Sequence, residues 1–318
     1  VDITRRDFLK ASAALASALG LTASGLVSPR RALALEGGVQ VVWFQGQGCT
    51  GCSVSLLNSI YYLTIDELLV NTVDLQYHPN VMAAAGDAGM EAAREALDNG
   101  GYVLAIEGAI PTGSEGKFCY VGEGLTMKDA VAAYSRNAAV ILAVGTCAAF
   151  GGVSAGSPNP TNALGVEEYL GSDPRLINVP GCPTHPDWVI GTVAYILANG
   201  QAPALDDLRR PLDYFEPRNG VHKKCYRKGT EQATRLTDPG CLKENFHCSG
   251  PKSKADCSTR KWNSAAHGTF GEYFCIEGGA PCYACTEPAF PDRVTPFIKW
   301  EESKGEPRLP GDKKRRDK

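Results

Sequence analysis

The chain has 318 residues, enough for about two domains, and 43% of them are hydrophobic and 21% charged, which excludes a mainly disordered or collagen-like polymer. A net charge of −3 provides no global field that would attract nucleic acid. Twelve cysteines fall short of the roughly 8–10% that marks a small disulfide scaffold, yet exceed what a cytosolic enzyme usually carries, so metal binding is the leading chemistry.

Residues 1–34 read as a bacterial export signal. Thr4-Arg5-Arg6-Asp7-Phe8-Leu9-Lys10 is a twin-arginine sequence, Ala11–Val27 is a weakly apolar run, and Ala32-Leu33-Ala34 is an A-x-A cleavage site. The run lies at the bottom of the membrane-spanning range and is diluted with Ser, Gly and Thr. Signals of this kind resemble those of proteins exported already folded, so cysteine-held metal would be in place before the chain meets an oxidising compartment. The mature chain is expected to begin near Leu35, in the periplasm, with no transmembrane anchor of its own. Its charged end, Asp312 to Lys318, reads as a solvated tail.

Residues 35–200 alternate strand and helix. Strands are expected at Val39–Phe44, Thr72–Tyr77, Tyr102–Ile106, Ala139–Val144 and Leu176–Val179. Helices are expected from near Ser53, over Glu91–Asp98, from a Thr126 cap to Tyr134, and over Asp187–Ala198. This pattern implies an α/β domain with a flavodoxin-like doubly wound parallel sheet. Cys49 and Cys52 follow the first strand, Cys147 the fourth and Cys182 the fifth, each beside glycine. Open α/β sheets place ligands beyond the carboxyl ends of their strands, so four thiols should converge on one rim. Such a set suits zinc or a cubane iron–sulfur cluster, and a pair of disulfides is the competing arrangement.

Residues 201–318 lose both periods and are rich in Pro, Gly, Lys and Cys, as expected of a loop-rich domain stabilised by inorganic cross-links. Two groups of four potential ligands occur there. One is His222, Cys225, Cys241 and Cys248; the other is Cys257, Cys275, Cys282 and Cys285. Three sets of four use eleven cysteines and one histidine. Cys119 remains, read as a small buried hydrophobe.

Gly48-Cys49-Thr50-Gly51-Cys52, Glu107-Gly108-Ala109-Ile110-Pro111, Gly145-Thr146-Cys147, Pro180-Gly181-Cys182-Pro183, Val221-His222-Lys223-Lys224-Cys225 and Pro281-Cys282-Tyr283-Ala284-Cys285 together resemble the small subunit of nickel–iron hydrogenases, in family order from about Val39 to Trp300. The resemblance implies a proximal 4Fe-4S cluster on Cys49, Cys52, Cys147 and Cys182, facing a large subunit that holds the nickel–iron centre. It implies a distal 4Fe-4S cluster on His222, Cys225, Cys241 and Cys248, and a medial one on Cys257, Cys275, Cys282 and Cys285. A proline usually stands where Cys275 does, with a 3Fe-4S medial cluster. A cysteine there resembles the nickel–iron–selenium type, and the medial cluster would be 3Fe-4S only if Cys275 were not a ligand. The Cys241–Cys248 spacing is one residue longer than expected. Gly51 and Gly152 occupy positions where oxygen-tolerant members carry extra cysteines, so an ordinary proximal cubane is expected.

The implied function is electron transfer in a periplasmic heterodimeric hydrogenase, with an external carrier such as a cytochrome as further partner. A basic collar of Lys223, Lys224, Arg227, Lys228 and Lys243 around the distal ligands would favour an acidic carrier. Glu107, at the end of the third strand, is open to a proton-transfer role or a plain capping or ion-pair role. Two rival readings are a respiratory quinone-reductase-type iron–sulfur protein, which lacks the His/Cys-rich second half, and a secreted zinc- or disulfide-stabilised protein without redox function.

Overall fold

The computed structural model describes residues 38–122 and 124–295. The export signal and the charged tail lie outside the described residues.

Five strands form one parallel sheet: β1 (Val39–Gln45), β2 (Val73–Tyr77), β3 (Val103–Glu107), β4 (Val140–Val144) and β5 (Leu176–Val179), in the order β2-β1-β3-β4-β5. This is the expected flavodoxin-like order. Both faces are buried. Val42, Phe44, Leu104, Ile106, Ile141 and Ala143 point into one core, and Val41, Trp43, Val103, Ala105, Leu142 and Val144 into the other. That two-residue alternation of two apolar sets explains why the strands read as continuous apolar runs rather than alternating ones.

Helices cover both faces. On the first lie α3 (Gly86–Asn99), α4 (Met127–Tyr134) and α5 (Gly145–Phe150), contributing Met90, Ala93, Ala96, Met127, Val131 and Phe150. On the second lie α1 (Gly51–Leu56), α2 (Ile65–Asn71) and α7 (Pro186–Asn199), the last through Trp188, Val189, Ile196 and Leu197. A short α6 (Val166–Leu170) precedes β5. Thr126 caps α4 as expected, its hydroxyl accepting from the Asp129 N–H. Helix α2 is absent from the sequence expectations, although Thr64 and Glu67 form a reciprocal capping box at its start. Helix α3 begins five residues before the expected Glu91, at an end with no side-chain cap to signal it.

Beyond Gly200 the described residues are loop-rich, as expected, with four single-turn helices among them: α8 (Leu212–Phe215), α9 (Val221–Lys224), α10 (Lys243–Phe246) and α11 (Cys257–Arg260). Their apolar core is small: Val221, Ala233, Leu242, Phe274, Ile276 and Cys282. Buried ion pairs join it to the sheet layer. Arg260 pairs with Asp256 at 2.9 Å and with Asp187 of α7 at 3.2 Å, while Trp188 Nε1 donates to Asp256 at 2.8 Å. Within the second half itself, fully buried Arg210 pairs with Asp206 at 2.8 Å and Glu287 at 3.1 Å. Removing one member would strand a buried charge, typically ~3–5 kcal/mol. Among the described residues no helix is long and apolar enough to cross a membrane.

Candidate metal centres

Strand register builds the first site. Gln45 lies opposite Glu107, Glu107 opposite Val144, and Val144 opposite Val179, so four strands end level. The segments leaving three of these ends carry the thiols: Cys49 in a loop and Cys52 in the first turn of α1, Cys147 in α5, and Cys182 in the loop after β5. The thiols lie close enough to act on one another electrostatically: Cys52 and Cys182 each with Cys147, Cys182 with Cys52 and Cys49, and Cys147 with Cys49. Glycines make that approach possible. Gly145 has φ 85°, and a Cβ on it would collide with Cys52 Sγ; a Cβ on Gly152, at φ 51°, would lie 2.9 Å from Cys147 Sγ. A side chain at Gly51 would likewise meet Cys49 Sγ at 2.9 Å. Gly51 and Gly152 thus both abut the rim thiols.

Glu107 anchors this loop through hydrogen bonds to uncharged donors. One carboxylate oxygen accepts from the Cys52 N–H at 2.9 Å and the Ser53 N–H at 3.2 Å, the first turn of α1. The other accepts from Trp43 Nε1 at 3.1 Å, Gln45 Nε2 at 3.1 Å and the Ser53 hydroxyl. The side chain is buried. Of the two roles open to it, the geometry is that of a capping carboxylate at a helix start. Its charge and burial both push the Cys52 thiol upward, burial most.

The second half supplies two further groups. Cys257, Cys275, Cys282 and Cys285 act electrostatically on one another, with Cys257 coupled to all three others. Cys225 is coupled to Cys248 and Cys241. The groups neighbour one another. The Cys282 N–H donates to Cys248 Sγ at 3.2 Å, and Cys182 lies close enough to Cys285 to act on it electrostatically. Cys248 therefore bridges toward Cys282 and Cys275 as well as Cys225. The charges acting on the His222 ring are those of Lys228, Lys243 and Lys223 rather than thiols, and they and partial burial lower its pKa, burial first. Lys223, Lys224 and Lys228 are exposed, and Lys243 pairs with Glu244 at 2.8 Å. Arg227 does not join that collar. It is buried, donating to the carbonyls of Asp238 at 2.9 Å and Gly240 at 3.2 Å just before Cys241. Cys119 is half-buried against the sheet core and belongs to none of the three groups.

All twelve cysteines are free thiols. Burial pushes Cys182 up to about 11 and Cys285 up to about 12, and raises Cys147, Cys257, Cys275 and Cys282. Such thiols stay protonated in water at neutral pH and become ligands when a metal displaces the proton. Among the described residues no three His, Cys, Asp or Glu side chains meet closely enough for a single metal ion. Tetrahedral zinc needs four ligands within about 2.0–2.3 Å of one centre. The thiol sets, the first of them cradled against bare glycine backbone, offer the thiolate donors that an iron–sulfur cluster takes.

Comparison with known proteins accounts for both halves of the chain. Residues 49–196 match the family of the NADH ubiquinone oxidoreductase 20 kDa subunit, and residues 2–22 match the twin-arginine translocation signal. Residues 218–298 match the C-terminal family of NiFe/NiFeSe hydrogenase small subunits. The quinone-reductase likeness is confined to the sheet half. The chain is 37% identical over 324 residues to the periplasmic NiFeSe hydrogenase small subunit of Desulfomicrobium baculatum, covering 93% of this chain and 99% of the relative. It is 36% identical to the periplasmic NiFe hydrogenase small subunit 1 of Nitratidesulfovibrio vulgaris, covering 93% of each. The crystal structure of the reduced, active NiFeSe hydrogenase from D. baculatum superposes with a TM-score of 0.75 at 37% identity, over 83% of this chain and all of that one. The chain belongs to the NiFe/NiFeSe hydrogenase small-subunit family and is a periplasmic hydrogenase small subunit.

Proposed function

We propose that this chain relays electrons between the nickel–iron centre of its large subunit and an external carrier, along three iron–sulfur sites. The proximal site is Cys49, Cys52, Cys147 and Cys182; the medial site is Cys257, Cys275, Cys282 and Cys285; the distal site is His222, Cys225, Cys241 and Cys248. Residues 35–200 hold the first and residues 201–318 the other two. Clusters bound there supply one-electron redox chemistry that no amino-acid side chain in these sites provides.

The observation that carries this reading is the continuity of the three ligand groups. Cys182 acts electrostatically on Cys285, and the Cys282 N–H donates to Cys248 Sγ, so a ligand of each group neighbours a ligand of the next. A zinc- or disulfide-stabilised protein has no need of such a line. Around it the chain does three things. Glu107 and the rim glycines fix the first ligand loop. Apolar packing around Cys257 and Cys282 shields two of the medial ligands, while Cys275 is exposed. Exposed Lys223, Lys224 and Lys228 present positive charge at its outer end, suited to an acidic carrier.

Cys275 decides the medial type. It is coupled to Cys257, Cys282 and Cys285, so four thiolates are available for four irons and a 4Fe-4S cluster is the reading. Electron paramagnetic resonance of the complete heterodimer under hydrogen tests the relay. Reducible cluster signals from three sites are expected; a protein with no hydrogen-reducible iron–sulfur signal would exclude it.

A further inference from the structure

Thr146 lies between Gly145 and the ligand Cys147, yet its side chain serves two other loops. Its hydroxyl accepts from the Gly181 N–H at 2.9 Å and donates to the Cys285 carbonyl. The residue is 1% exposed, so water does not compete for either bond. Gly181 precedes Cys182, which lies close enough to Cys285 to act on it electrostatically. The main-chain bond from Thr146 N–H to the Gly181 carbonyl, at 2.9 Å, closes the same turn from the other side. One threonine thus ties the β5 loop, with its proximal ligand, to the Cys282–Cys285 loop, with its medial ligands.

Resting on the relay reading above, we propose that Thr146 is a positioning residue for the proximal-to-medial step: its hydroxyl fixes the separation of Cys182 and Cys285, and through them of the two sites. The balance of forces favours this role over simple core packing. Valine is nearly isosteric with threonine, so it would fill the same space, but it would leave the Gly181 N–H and the Cys285 carbonyl buried without this partner. Those loops can then regain hydrogen bonds only by moving apart to admit water. Serine keeps the hydroxyl and loses only a methyl group.

The test uses the complete heterodimer with Thr146→Val, Thr146→Ala and Thr146→Ser. The first readout is the magnetic interaction between the proximal and medial signals, which depends steeply on their distance. The second is the hydrogen-driven rate of electron output. Val and Ala are expected to weaken the interaction at unchanged iron content and to lower the rate about tenfold, the low end of what loss of an outer-shell partner does. Ser is expected to restore both. Unchanged magnetic interaction in Val and Ala at full iron content would overturn the proposal. So would loss of iron from both, because the hydroxyl would then serve assembly rather than spacing. If the unmutated heterodimer itself shows no proximal and medial signals, the relay reading fails, and that outcome is distinct from a failure of the Thr146 assignment.

Discussion

Replacing Glu107 by glutamine keeps the volume and removes one acceptor. The new amide oxygen can keep the Cys52 and Ser53 N–H groups, now as neutral rather than charge-assisted bonds. The new NH2 then faces Trp43 Nε1, Gln45 Nε2 and the Ser53 hydroxyl. Gln45 can flip to present its oxygen and the Ser53 hydroxyl can turn to accept. The Trp43 indole can only donate, so it is orphaned. An orphaned buried donor costs about 1–3 kcal/mol, and two bonds weakened from charged to neutral add about 0.5–1 kcal/mol each, so about 3 kcal/mol is lost. The Trp43 share falls on β1, and the two weakened bonds, about 1–2 kcal/mol together, fall on the start of α1 and therefore on the Cys49–Cys52 loop. Hydrogen exchange of the peptide spanning Gly48–Asn58 reads it directly. At ~1.4 kcal/mol per tenfold, the Cys52 and Ser53 amides should exchange about tenfold faster. The peptide covering β4 should be unchanged. Wild-type protection at Cys52 and Ser53 in Glu107→Gln would refute the view that this carboxylate anchors the loop.

Other consequences can be tested in the same heterodimer. His185 is held neutral by burial, which depresses it to about 3; Nδ1 accepts from the Asp187 N–H at 3.1 Å and Nε2 donates to the Lys261 carbonyl at 2.6 Å. Because its folded pKa lies below the unfolded value near 6.5, its contribution is complete above that value and is lost as pH falls toward 3, at ~1.4 kcal/mol per pH unit. Asp187, raised to about 6 by burial, works in the opposite sense between about 4 and 6, so the acid loss should steepen only below about 4. His185→Gln should flatten that acid limb in melting temperature against pH; an unaltered limb would count against the assignment. Cys275→Pro should convert the medial site to three irons, read as a new paramagnetic signal in the oxidised protein, and the same signal in unmutated protein would make Cys275 a bystander. Reversing Lys223 and Lys228 to Glu should slow electron transfer to an acidic carrier about tenfold at low salt and much less at high salt. Equal rates at both salt levels would remove the docking role.

The sheet is legible in the sequence because its strands bury two faces and so read as unbroken β-branched runs; Leu176–Val179 matches residue for residue. The rim follows from topology, since parallel strands with level ends must deliver their following loops to one side. Helix α2 leaves a trace in Thr64-Ile65-Asp66-Glu67, but its seven residues are too few to show a period. Arg227 does not belong to the collar that the sequence suggests. A charge count cannot distinguish a solvated arginine from one folded back onto two carbonyls. Thr146 is hidden for a similar reason: its partners at Gly181 and Cys285 lie 35 and 139 residues away, and only the fold brings them together. The buried Arg260 group leaves a local trace in the Asp256–Arg260 spacing, but its link to Asp187 is again nonlocal.

Three iron–sulfur sites on this chain are the central claim, and acid-labile sulfide per heterodimer tests it most directly, because protein thiols and single metal ions release none. About twelve sulfides are expected, four from each site whether the medial cluster holds three irons or four. About four sulfides would leave only a proximal cluster, and none, with stoichiometric zinc, would contradict the claim outright.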